Sequence, residues 1–124
     1  MAALSQSGRR VGGAGGWLET FRAGDAWVVA SWEAAAALAP GTGELARRMR
    51  RGALDCGCAL VAAAQCSAGE DRRGYIERAH GSLMEARYLL YLAKRVGSLD
   101  SKRYKALTTR LDRALREITA RRLS

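Results

Sequence analysis

Ile76, Ala79, Leu83, Ala86, Leu90 and Ala93 follow one another at steps of three and four residues without a break. At about 100° per residue, that spacing places all six on one face of a helix. It is incompatible with the two-residue alternation of a strand. Three other segments carry the same period. Trp17, Phe21, Gly24, Val28, Ser31, Ala35 and Leu38 predict a first helix from about Trp17 to Leu38. Leu45, Met49, Gly52, Cys56, Ala59 and Ala63 predict a second from about Glu44 to Gln65. Tyr104, Leu107, Leu111, Ala114 and Ile118 predict a fourth that runs to the C-terminus.

The breaks between these stripes carry turn chemistry. Pro40-Gly41-Thr42-Gly43 closes the first helix, and Cys66-Ser67-Ala68-Gly69-Glu70 reads as a loop. Asp71 is the expected N-cap of the third helix and Asp100 that of the fourth, because a short carboxylate accepts the unsatisfied amides of a first turn. Gly97 suits the left-handed position just past a helix end. Four amphipathic helices joined by short turns predict an all-α, antiparallel up-down four-helix bundle over residues 17–124. Residues 1–16, MAALSQSGRRVGGAGG, are basic and glycine-rich and are expected to be a flexible, disordered tail.

The third helix poses a problem of its own. With the Ile76–Leu83–Leu90 stripe inward, Gly81, Glu85, Tyr88 and Leu92 point roughly the opposite way. A mid-helix glycine costs roughly 1 kcal/mol relative to alanine, and an outer face is normally polar. One reading is a loosely amphipathic helix with a few exposed apolar groups. The other is a subunit interface, in which Gly81 admits a neighbouring helix and the packing offsets its propensity cost.

The run Ala79–Leu107, AHGSLMEARYLLYLAKRVGSLDSKRYKAL, resembles the second half of the 23S rRNA intervening-sequence protein family. Ala79, Gly81, Ser82, Leu83, Glu85, Gly97 and Tyr104 carry the likeness. The second helix keeps Arg50, Arg51 and small residues, but has Cys58-Ala59-Leu60-Val61-Ala62 where the family carries asparagine and glutamate, so no role of those polar groups transfers. The resemblance implies a bundle that assembles into a homopentamer. It also implies kinship with the accessory variability proteins of diversity-generating retroelements, whose basic pentamer binds nucleic acid and a reverse transcriptase. The Gly-Trp ending of that branch is missing here.

Charge is the second constraint. The chain has 124 residues and a formal charge of +9, which favours polyanionic partners. The surplus is uneven. The first helix has only Arg22 against Glu19, Asp25 and Glu33. The second carries Arg47, Arg48, Arg50 and Arg51. The fourth carries Lys102, Lys105, Arg113 and Arg116 on the side away from its stripe, with Arg103, Arg110 and Arg121 as a flanking strip and Arg122 beyond. Arginine forks suit phosphate oxygens. These twelve residues are the expected nucleic-acid contacts, for RNA or an RNA–DNA hybrid, with the backbone rather than the base sequence recognised. The alternative is a structural or protein-interaction bundle whose charge only keeps it soluble.

Other constellations lead nowhere. Cys56 and Cys58 stand about 200° apart on a helix and cannot easily share an ion with Cys66 or His80. No nucleophile or carboxylate is grouped with His80 in sequence, and the glycines of VGGAGGW lack a phosphate-loop ending. No enzyme activity, metal or cofactor is expected. No apolar run approaches the roughly 18 residues of a membrane span. The absence of a secretory pattern leads us to expect a cytoplasmic protein with reduced thiols.

Overall fold

The computed structural model describes residues 16–38, 40–67 and 69–123. The tail expected over residues 1–16 lies outside the described residues except for Gly16. Four helices account for most of the rest: α1 (Trp17–Ala36), α2 (Gly43–Gln65), α3 (Glu70–Arg95) and α4 (Ser101–Leu123). No strand occurs among the described residues.

The helices pack in chain order around a square: α1 on α2, α2 on α3, α3 on α4 and α4 on α1. Pairings across the seams fix their directions. Between α3 and α4, Glu77 meets Arg122, Arg87 meets Asp112 and Lys94 meets Tyr104. The α4 number falls as the α3 number rises, so the two are antiparallel. Gly24 facing Leu60, Val28 facing Gly57 and Trp32 beside Arg50 give the same result for α1 and α2. The bundle is therefore up-down. The α1–α2 and α3–α4 connections share one end, where the Thr42 and Ser98 hydroxyls hydrogen-bond at 3.0 Å. Trp17 marks the opposite end, with the Arg72 guanidinium 4.5 Å above its ring.

The caps show why the helices stop where they do. Asp100 caps α4 as expected, its Oδ1 accepting the Arg103 amide at 2.8 Å. Gly97 adopts φ 77°. Its N–H reaches the Lys94 carbonyl at 3.1 Å, and that of Ser98 reaches Ala93 at 2.9 Å, the paired bonds of a Schellman ending. Asp71 is not the cap of α3. Gly69, at φ 137°, turns the chain earlier, so Glu70 and Asp71 lie in the first turn. There their carboxylates face the partial positive charge of the helix N-terminus.

All six residues of the α3 stripe are buried, as are Leu107, Leu111, Ala114 and Ile118 of α4. Full burial of one leucine or isoleucine contributes about 1.5–3 kcal/mol. In the first two helices most of the expected stripe is buried, namely Trp17, Gly24, Ser31 and Ala35 of α1 and Leu45, Met49, Cys56, Ala59 and Ala63 of α2, but the buried face extends beyond it. In α1, Thr20, Ala23, Trp27 and Ala30 are buried, while Phe21 and Val28 lie only half in. In α2, Ala53 and Leu60 are buried, and Gly52 looks out onto open space. The glycine that admits a close neighbour is Gly24. A Cβ there would collide with Leu60 Cδ1.

Candidate nucleic-acid interface

The two basic helices do not adjoin. α2 and α4 stand across a diagonal of the square, so their strips cannot form one continuous side. Their charges instead gather toward one end. The half of the bundle with two connections (residues 27–38, 40–53 and 83–111) holds eleven arginines and lysines against four carboxylates, a net of +7. The Trp17 half (16–26, 54–67, 69–82 and 112–123) holds eight against eight. The up-down topology produces this polarity. It brings the start of α2, the end of α3 and the start of α4 to the same end.

Within that half the arginines differ in how they are held. Arg47 pairs with Glu44 on its own helix, Arg48 reaches across to Glu85 of α3, and Arg103 lies 3.8 Å from Asp100. The hydrogen bond to Glu85, then its charge, holds the Arg48 guanidinium above the usual arginine range. Both partners are solvent-exposed, where water and salt screen the pair. A phosphate oxygen can replace either carboxylate at small cost. Arg50 lies 5.9 Å from the Trp32 ring of α1. Arg51, Lys102, Lys105 and Arg110 are without an ion pair or side-chain hydrogen bond among the described residues.

The rest of the α4 strip divides between two neighbours. Arg113 turns toward α1, 3.6 Å from Glu19. Arg116 turns toward α3 and lines an open groove with Arg87, Asp112, Leu115 and Thr119. Arg121, expected to reach solvent, is half-buried. Arg122 donates to both carboxylate oxygens of Glu77, at 2.6 and 3.1 Å, and lies 3.3 Å from His80 Nε2. Its hydrogen bond holds the Glu77 carboxyl below the usual range. Burial, then the Arg122 charge, pushes the His80 imidazole down, and because a guanidinium can only donate, His80 Nε2 is the acceptor of that contact.

The outward face of α3 takes a definite form. Gly81 has open space where a side chain would stand. Met84 and Tyr88 are 51% and 61% exposed. Glu85 is engaged by Arg48. Leu92 departs from the expected outward set, because it is half-buried against the core.

Cys56 is buried and Cys58 exposed, as their 200° separation requires. Burial pushes the Cys56 thiol up to about 12. No group of three metal-ligating side chains gathers among the described residues, and no helix there is long and apolar enough to cross a membrane. Sequence reasoning took Tyr104 only as a stripe residue and missed that the fold sets it, with Trp32 and Tyr91, beside the charge. The signal was available at the α3–α4 turn, where Tyr91, Lys94 and Arg95 precede Gly97 and Tyr104 and Lys105 follow it. No protein-family model matches the chain, and neither a curated protein nor a solved structure matches it.

Proposed function

We propose that this chain is a non-enzymatic, homo-oligomeric helical bundle that binds RNA or an RNA–DNA hybrid end-on, through the half carrying both the α1–α2 and α3–α4 connections. The observation behind this is the net +7 of that half against the neutral Trp17 half of the described residues. A field so concentrated attracts a phosphate backbone, and each phosphate neutralised releases condensed counterions. The likeness of Ala79–Leu107 to the intervening-sequence family points the same way. It also suggests a pentameric accessory factor, with a reverse transcriptase as its protein partner.

The test is the affinity of nuclease-treated protein for a structured RNA across a salt series. Binding should weaken steeply with salt. Charge reversal at Arg51, Lys105 and Arg110 should flatten the logarithmic slope by roughly 0.7–0.9 for each phosphate that is no longer neutralised. The same change at Arg73 and Arg78, in the neutral half, should leave the slope nearly unaltered. No binding at low salt would overturn the proposal.

One observation favours a second reading, a protein-interaction bundle without nucleic acid. The open space over Gly81 and the exposed Met84 and Tyr88 form an apolar face on α3. In the first reading this is the contact between copies. In the second it takes a different protein. Sedimentation of the pure chain separates them, because self-assembly needs no added partner.

A further inference from the structure

Along the basic half, the seam between α3 and α4 carries aromatic rings among its cations. Tyr91 is 44% exposed on α3, and its ring centroid lies 6.3 Å from that of Tyr88 at a 42° tilt. Arg95, one turn on, donates to the Tyr91 hydroxyl at 3.0 Å and holds its guanidinium 5.8 Å from the ring centroid. Lys94 crosses the seam to lie 4.7 Å over the half-buried Tyr104 ring of α4. Lys105, next in sequence, is exposed, and its ammonium has no ion pair among the described residues. Below Tyr91 the seam passes the Arg87–Asp112 pair at 2.6 Å and opens into a groove of about 580 Å³ that Arg116 also lines.

Packing against the core accounts for the Tyr104 ring, but not for Tyr91, which stands exposed among the cations. Duplex binding does not account for it either, since paired bases keep their faces covered. An unpaired strand offers both phosphates and open base faces, and proteins that take one combine a cationic track with exposed aromatic rings. We infer that the α3–α4 seam is a track for single-stranded nucleic acid, with a base stacking on Tyr91 and phosphates meeting Arg95 and Lys105. This rests on the nucleic-acid function proposed above and narrows its ligand to an unpaired strand. Tyr88 also borders the face assigned to contact between copies, so Tyr91 is the residue that tests the track.

The experiment compares an oligouridine of about 20 nucleotides, longer than one protein's footprint, with an RNA duplex of equal length. Fluorescence anisotropy is read for the wild type, Tyr91→Ala, Tyr91→Phe and Lys105→Glu. Thermal melts check that each variant is folded. Tyr91→Ala should weaken single-strand binding by roughly five- to a hundredfold, the range for removing one stacked ring, and leave duplex binding unchanged. Tyr91→Phe keeps the ring, loses the hydroxyl and should bind the single strand as the wild type does. Lys105→Glu should weaken both ligands. If Tyr91→Ala binds oligouridine like the wild type while the protein still binds RNA, the track is wrong and the electrostatic function stands. If neither RNA binds the wild type, both fall. If Tyr91→Ala dissociates an assembly in sedimentation, the ring is a contact between copies and the track is overturned.

Discussion

Gly24 and Gly81 each sit inside a long helix and carry the same propensity penalty, about 1 kcal/mol relative to alanine. Their surroundings are opposite. Gly24 lies in the seam of α1 and α2, where Leu60 fills the space a side chain would need. One turn on, Val28 lies 3.5 Å from the Cβ position of Gly57. Gly81 lies on the outside of α3 over open space. The inner glycine is explained by the monomer, because the Leu60 side chain of α2 occupies the space its Cβ would take. Nothing within the monomer explains the outer one. A glycine is a sign of close approach only when the approaching group is present.

The inner seam should show the largest effects. Leu60 is 1% exposed, and Leu60→Ala should cost about 2–5 kcal/mol, the transfer term plus the cavity left behind. Thermal or urea unfolding monitored by circular dichroism reads this directly. A loss under about 1 kcal/mol would mean that the α1–α2 contact is looser than described.

Gly24→Ala comes next. The added methyl meets a buried leucine, and overpacking of this kind costs about 1–3 kcal/mol, more than the propensity gain returns. The double variant Gly24→Ala/Leu60→Ala should lose less than the two singles together, since the new methyl enters the new cavity and contacting sites are not additive. Additive losses would show that the two residues do not meet.

Gly81→Ala should act in the other direction. With no neighbour at the Cβ position, a monomer gains up to about 1 kcal/mol of helix propensity. If copies pack over α3 through this glycine, the methyl obstructs them. Apparent stability then falls and the assembly dissociates at higher protein concentration. The sign at this one position therefore decides whether the outer glycine has the same kind of cause as the inner one.

Periodicity within each helix was enough to find four helices, the full α3 stripe, the Asp100 cap and the Gly97 ending. These are local properties of one segment. It put Gly24 and Gly52 alike on core stripes without saying which is covered. Gly52 shares the α2 period, yet only the rotation of α1 against α2 decides that Gly24 is the one covered. The interface was legible to the same limited extent. Each basic strip could be counted on its own helix. That α2 and α4 are diagonal, that their charges nonetheless share one end, and that Lys94 lies over Tyr104 all follow from how helices pair. Asp71 was misplaced for a related reason. Two positions suit a cap there, and the positive φ of Gly69 selects the earlier one.

The smallest prediction concerns protons and contrasts the same inner and outer regions. Buried Cys56, its thiol pushed up to about 12, stays protonated throughout the acid range, so it contributes no acid-range dependence. On the α3–α4 side, burial and then Arg122 depress His80. The unfolded chain then takes up a proton that the folded chain refuses. Stability from this group is complete above the ordinary histidine value of about 6.5 and is lost as pH falls below it. Glu77, held down by Arg122, responds only further into acid. Its contribution is present above the ordinary carboxylate value near 4.3 and is lost as pH falls through its depressed folded value. The melting temperature should thus decline in two steps on acidification. His80→Gln should erase the upper step and Glu77→Gln the lower. A wild-type melting temperature that stays level between about pH 7 and 5 would mean that His80 is as well solvated as in the unfolded chain. The outer seam would then be looser at Arg122 than its bonds to Glu77 and His80 imply.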